Sequence, residues 1–360
     1  MYSLSLLIAV LFFFPLFIFC KPQSKVFLPS KYKKLYDIIY ILTISEFFVF
    51  SYNFTLLYVI LICIIVNDQA RSSASVSSRF QVLLRFAPEQ KRSFMRLKNK
   101  VVVVTASTRG IGYAAVKACA EEGAIVYMAA RNLELAKEKA DALNAAGLRV
   151  KYVYNDATKE ETYSSMIEET VKAEGRIDVL VNNFGTSNPR KDLDILHTDP
   201  KVFIDTVNLN LKSVFISSQA ALKHMAKQQS GSIINISSIG GLAADISQIA
   251  YGTSKGAINH LTKIIATQAA RLNVRCNAVL PGMTATDAVQ NNLTDDFRDM
   301  FLKSSPIRRM ATPEEIAAAI VYFASDESAF TTGQILAVSG GFGIATPVFG
   351  DLSDRANARG

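Results

Sequence analysis

The sequence predicts an α/β fold, a doubly wound parallel sheet with helices on both of its faces. Three observations carry that prediction. From residue 101 onward, short β-branched runs alternate with amphipathic stretches of helical spacing. A turn containing Gly110 and Gly112 separates the first run from its helix. No proline- or serine-rich linker interrupts the order after Arg96, so a single domain spans residues 95–360.

The elements follow in turn. Residues 101–104 are consecutive valines, continuous enough for a strand buried on both faces, and an Ala-rich amphipathic stretch then runs to Glu122. Strands are expected at 125–128 and 149–153, with helices after them at 133–146 and 160–174. The next strand, 177–181, ends at Asn182-Asn183-Phe184-Gly185, and a long helix spans 202–227. A strand at 232–236 runs into Ser237 and Ser238, and the helix 249–270 carries Tyr251 and Lys255. Strand 274–279 leads into Pro281-Gly282, which stops regular pairing and opens a loop. Thr312, Pro313, Glu314 and Glu315 supply a cap, an N1 proline and two acids at the positive end of a helix dipole, predicting a helix to Ser325. Strand 334–338 closes the sheet.

Charge and composition exclude several function classes. The net charge of +8 is concentrated in residues 1–94, where ten Lys or Arg face four Asp or Glu. The remaining residues are nearly neutral, so a nucleic-acid partner is not expected. Cys20, Cys63, Cys119 and Cys276 are widely separated, and the only histidines are His197, His224 and His260. That pattern supports neither a disulfide framework nor a metal site.

The chemistry gathers at Tyr251-Gly252-Thr253-Ser254-Lys255. Positions i and i+4 share a helix face, so phenol and ammonium would project into one cleft. A nearby cation favours the phenolate and would bring the tyrosine towards the range of a general acid or base. At the glycine turn, free N–H groups at a helix N-terminus make a site for a pyrophosphate.

Together, Thr105-Ala106-Ser107-Thr108-Arg109-Gly110-Ile111-Gly112, Asn182 to Gly185, Asn210, Ser238, Tyr251 to Lys255 and Pro281-Gly282 resemble the short-chain dehydrogenase/reductase family, over residues 97–346. The resemblance implies a Rossmann-type sheet, a nicotinamide cofactor and a homotetramer. Tyr251 would be the acid–base residue, Lys255 would lower its pKa and hold the nicotinamide ribose, and Ser238 would hydrogen-bond the reacting oxygen. Asn210 would hold a water that passes protons from Lys255 to solvent. Cofactor contacts fall to Ser107, Thr108, Arg109, Gly110, Ile111 and Gly112 at the turn, and to Asp156 and Ala157 near the adenine. Asn182, Gly185, Pro281, Gly282, Thr284 and Thr286 would line the nicotinamide. One departure is visible: Ala106 stands where the family has its first turn glycine. Its methyl tightens the turn, and cofactor binding is expected to survive.

The acid that would accept an NAD ribose hydroxyl is missing from Met128-Ala129-Ala130-Arg131, whereas Arg131 and Arg109 suit a 2′-phosphate, so NADP(H) is expected. Within the family the motifs are similar to bacterial NADP-dependent 7α-hydroxysteroid dehydrogenases, which implies a bile acid or other steroid substrate. The alternatives are a reductase for a 3-oxoacyl thioester or small ketone, and a membrane-anchored binding protein without turnover. Residues 283–305, bearing Val289, Leu293, Phe297, Met300, Phe301 and Leu302, read either as core packing or as a cover over the cleft. Arg298, Lys303, Arg308 or Arg309 would meet a bile-acid carboxylate.

The first 94 residues read differently. Residues 4–20 and 47–66 are apolar runs that look like membrane spans, with Lys21, Lys25, Lys31, Lys33 and Lys34 between them. The positive-inside rule would put all that follows outside the cell, where a soluble cofactor is scarce. The functional protein is therefore expected to begin at Met95 and to be cytoplasmic. A genuine membrane anchor is the alternative.

Overall fold

The computed structural model describes residues 95–291, 293–346 and 348–358. The two apolar runs lie outside the described residues. Among the described residues, no helix is long and apolar enough to cross a membrane.

Seven strands form one sheet: β1 (Val101–Thr105), β2 (Ile125–Ala130), β3 (Arg149–Tyr154), β4 (Val179–Asn182), β5 (Gly231–Ile236), β6 (Val274–Pro281) and β7 (Ile335–Val338). Their order is β3-β2-β1-β4-β5-β6-β7, and every pairing is parallel. The chain winds outward one way from β1 and the other way from β4. That reversal leaves a crevice beyond the carboxyl ends of the two strands, where α/β folds bind ligands.

Both faces are covered, as the valine run requires. Val102 and Val104 pack with α1 (Gly110–Glu121), α2 (Leu133–Ala145) and α8 (Pro313–Ala324), through residues such as Val116, Leu143 and Ile320. Val101 and Val103 point to the other face, towards α3 (Glu161–Glu174), α4 (Pro200–Gln228) and α5 (Ile249–Ala269), through Met166, Met225 and Ile265. Successive side chains alternate across a strand, so a run with no polar member needs a helix layer on each side. Each buried valine or leucine contributes about 1.5–3 kcal/mol.

Some boundaries differ from expectation. The fourth strand starts at Val179 because the Ile177 N–H donates to the Gln228 side chain instead of to a neighbouring strand. The helically spaced segment 283–305 forms two helices, α6 (Asp287–Gln290) and α7 (Asp295–Lys303), and a further helix, α9 (Phe349–Asn357), was not anticipated. No residue of α7 is buried. Its apolar spacing is therefore not core packing.

Candidate active site

The turn after β1 is shaped by close approach. A Cβ on Gly112 would lie 2.6 Å from the Ala106 carbonyl oxygen and 2.6 Å from the Asn183 amide nitrogen, so only glycine fits. Arg109, at the N-cap of α1, makes no side-chain cap. The first N–H groups of that helix lack intrahelical acceptors and are available to an anion. Ala106 sits in the left-handed region at φ 51°, where a Cβ costs about 1–2 kcal/mol. Ala106→Gly relieves that strain but frees the unfolded chain, so a net gain of up to about 1 kcal/mol is expected. A urea titration checks it, and a lower midpoint for the variant would contradict the strain.

Thr105 ties this turn to the end of β4. Its Oγ1 accepts the N–H groups of Asn183 and Phe184 at 2.9 and 3.0 Å. Asn183 Nδ2 donates to the carbonyls of Thr105 and Ala106, both at 3.1 Å. Neither residue was singled out in the sequence beyond its motif. Their signal was position alone, one at each side of the crevice.

Tyr251 and Lys255 lie on the first turns of α5, with the Lys255 ammonium 5.5 Å from the centroid of the Tyr251 ring. Lys255 is buried and donates to the Ile236 carbonyl at 2.9 Å. A Cβ on Gly185 would stand 2.8 Å from its Nζ, so that glycine gives the ammonium its space. Ser238 follows β5 and accepts the Gly240 N–H at 3.1 Å. The Cβ position of Gly240 lies 3.6 Å from Ser238 Oγ and 4.0 Å from Tyr251 Cε1, which puts hydroxyl and phenol on one side of the cleft. Ser237 Oγ donates to the Lys255 carbonyl at 3.1 Å, joining the strand end to the helix.

The electrostatics of the free protein run against the expectation for Tyr251. Burial pushes its phenol above the usual range, while the hydrogen-bonding Ser238 hydroxyl pulls it back. Burial also lowers the Lys255 ammonium, to about 8. Desolvation disfavours both charged forms.

A family model described as enoyl-(acyl carrier protein) reductase matches residues 105–343. The chain is 50% identical over 260 residues to a 7α-hydroxysteroid dehydrogenase of Clostridium sardiniense, covering 72% of this chain and 99% of that one. It is 47% identical to one of Paraclostridium sordellii, covering 71% and 97%. A crystal structure of a short-chain type dehydrogenase/reductase from Mycobacterium marinum superposes with a TM-score of 0.66 at 30% identity, covering 70% and 99%. The chain belongs to the short-chain dehydrogenase/reductase family. It is an oxidoreductase of the alcohol dehydrogenase/ketoreductase kind, and its family works with a nicotinamide cofactor.

The expected cofactor contacts of this dehydrogenase gather along the carboxyl edge of the sheet. Ser107 is buried, its Oγ donating to the Ala129 carbonyl at 3.4 Å, and Thr108 and Ile111 are half-buried. Thr286 reaches the turn, its methyl 3.1 Å from the Cβ position of Gly110. Thr284 Oγ1 donates to the Gly282 carbonyl at 3.0 Å, and Pro281 is the last residue of β6, opposite Val338. Arg109 and Arg131 are exposed and form no ion pair among the described residues. The Asp156 carboxylate is held below its usual range, first by the Thr158 N–H, and Ala157 accepts from the Tyr163 hydroxyl.

Six side chains are occupied in ways the sequence did not indicate. Asn182 Nδ2 donates to Ser218 Oγ and Asn235 Oδ1, at 3.0 and 2.9 Å, inside the layer between sheet and helices. It is Asn183 that reaches the turn. Asn210 is fully buried, donating to the Thr186 carbonyl and Ser254 Oγ and accepting the Thr186 N–H. Its amide tethers the loop after β4. The four cations offered for a carboxylate each have acidic partners: Arg298 with Asp295 and Asp299, Lys303 with Asp351 and Asp354, Arg308 with Asp354, Arg309 with Glu315. None is left as an open carboxylate receptor.

Proposed function

We propose that the protein is an NADP-dependent oxidoreductase interconverting the 7α-hydroxyl and 7-oxo groups of bile acids, with residues 95–360 as its catalytic domain. The observation that carries the chemistry is the convergence of Ser238, Tyr251 and Lys255 at the crevice where the sheet reverses. When bound, the nicotinamide supplies the hydride acceptor or donor. Tyr251 takes the proton of the substrate hydroxyl as the carbinol hydride leaves, and returns it in reduction. Its raised pKa keeps the phenol protonated in the free protein, which suits the acid role. Ser238 holds the reacting oxygen, Lys255 supplies positive charge beside the phenol, and Asn210 fixes the loop that borders them.

Support for a steroid comes from identity along the full length of the 7α-hydroxysteroid relatives and from large apolar side chains left exposed. Leu242 and Ile246 lie between Ser238 and Tyr251 in sequence, and Phe297 and Met300 lie on α7. Such surface suits a flat apolar substrate. An acyl thioester, as the description of the matching family model suggests, is the second reading. Exposed Phe215 on α4 and Ile264 on α5 support the tetramer. Initial rates with chenodeoxycholate, a short linear alcohol and an acyl thioester test the substrate, and equal rates on steroid and short substrates would overturn it.

Arg109 and Arg131 support NADP. Arg131→Ala is expected to lower the NADP-over-NAD preference in kcat/KM by about tenfold or more, the worth of a charged hydrogen bond. An unchanged ratio would remove Arg131 from the phosphate site.

A further inference from the structure

We propose that Asp192 is a positioning residue for Tyr251, its buried carboxylate supplying from a distance the cap that the α5 helix lacks. The proposal rests on the reading of Tyr251 as the acid–base residue. A helix start leaves its first N–H groups unpaired, and a Ser, Thr, Asp or Asn at the N-cap usually takes one of them. The cap position of α5 is Gln248, whose side chain makes no such bond and whose φ of 56° is left-handed. Asp192 fills the gap from the loop that follows β4. Its Oδ1 accepts the Ala250 N–H and its Oδ2 the Tyr251 N–H, both at 2.9 Å, across 58 and 59 residues of chain. Its own carbonyl accepts the Gln248 N–H at 3.1 Å.

Asp192 is 0% exposed. A buried carboxylate is costly unless it is well hydrogen-bonded, and here two backbone donors and the positive end of the helix dipole hold it. The same loop is fastened at other points. Ser187 Oγ donates to Gln248 Oε1 at 2.9 Å, and Asn210 bonds both the N–H and the carbonyl of Thr186. Gly185, which makes room for Lys255, opens this loop. The segment 185–192 thus fixes the first turn of α5, where the phenol is carried, against the strand edge that bears the crevice.

The test compares Asp192→Ala, Asp192→Asn and Tyr251→Phe in the full chain, reading kcat on the alcohol that wild type oxidises and NADPH dissociation by fluorescence. Asp192→Ala is expected to lower kcat about 100-fold, as a misplaced acid–base group does, with NADPH binding changed less than about twofold. Asp192→Asn, which keeps one acceptor oxygen, should recover about tenfold of that loss. A kcat for Asp192→Ala within about threefold of wild type, or a parallel loss of rate and NADPH affinity, would overturn the proposal. So would failure of both variants to fold, which would make Asp192 part of the scaffold alone. Full activity in Tyr251→Phe would instead overturn the acid–base reading, a result distinct from wild-type activity in Asp192→Ala beside an inactive Tyr251→Phe.

Discussion

Tyr251→Phe is expected to lower kcat by roughly three orders of magnitude while leaving the dissociation constant of NADPH within about twofold. The substitution removes one hydroxyl and keeps the ring, so the first turn of α5 and its packing persist. What disappears is the phenol hydroxyl that hydrogen-bonds Ser238, the group to which the proposed mechanism gives the proton transfer. Stopped-flow traces of nicotinamide absorbance, with cofactor fluorescence as the binding control, measure both quantities. A variant retaining more than about a tenth of the wild-type rate would show that proton transfer runs through another group.

Lys255→Met should cost about 100-fold in kcat. The ammonium is 5.5 Å from the phenol ring centroid, and at an effective dielectric of about 20 that separation corresponds to about 3 kcal/mol of attraction for a developing phenolate. Methionine fills much of the same volume, so packing beside Gly185 is largely kept. The effect has a pH signature. Burial has lowered the ammonium to about 8, so its charge is present below that pH and lost as pH rises through it. The ratio of wild-type to variant rate should therefore be largest below pH about 8 and shrink above it. A ratio constant from neutral to alkaline pH would deny Lys255 an electrostatic role.

The fold was legible because its signals are local. Four valines in a row, turn glycines and the Thr312 cap each specify structure within a few residues; the cap is present as expected, and Glu315 bonds back to the Thr312 N–H to complete a capping box. The pairing of Tyr251 with Lys255 was legible for the same reason: the two are one helical turn apart. What escaped was tertiary. Asp192 caps a helix that starts 57 residues later, and its only trace in the sequence is the poor local cap at Gln248. The α9 helix is held by Asp351 and Asp354 pairing with Lys303, partners that no periodicity reveals. The expected fall in the Tyr251 pKa failed because spacing reports proximity to a cation and says nothing of burial.

The way α7 is attached has an evolutionary consequence. No residue of this helix is buried; it is joined to α9 through exposed pairs of Lys303 with Asp351 and Asp354, while Phe301 stacks on Phe342 at 4.5 Å. Substitutions at the exposed positions of this helix, such as Phe297 and Met300, change stability by less than about 0.5 kcal/mol, whereas losses from the valine core cost several times more. Drift can therefore rewrite the outer face of α7 at little penalty, while Tyr251 and Lys255 stay fixed on α5, which Lys255 and Ser237 tie to the end of β5. A lineage carrying this chain could acquire new alcohols to oxidise without having to reinvent the oxidation.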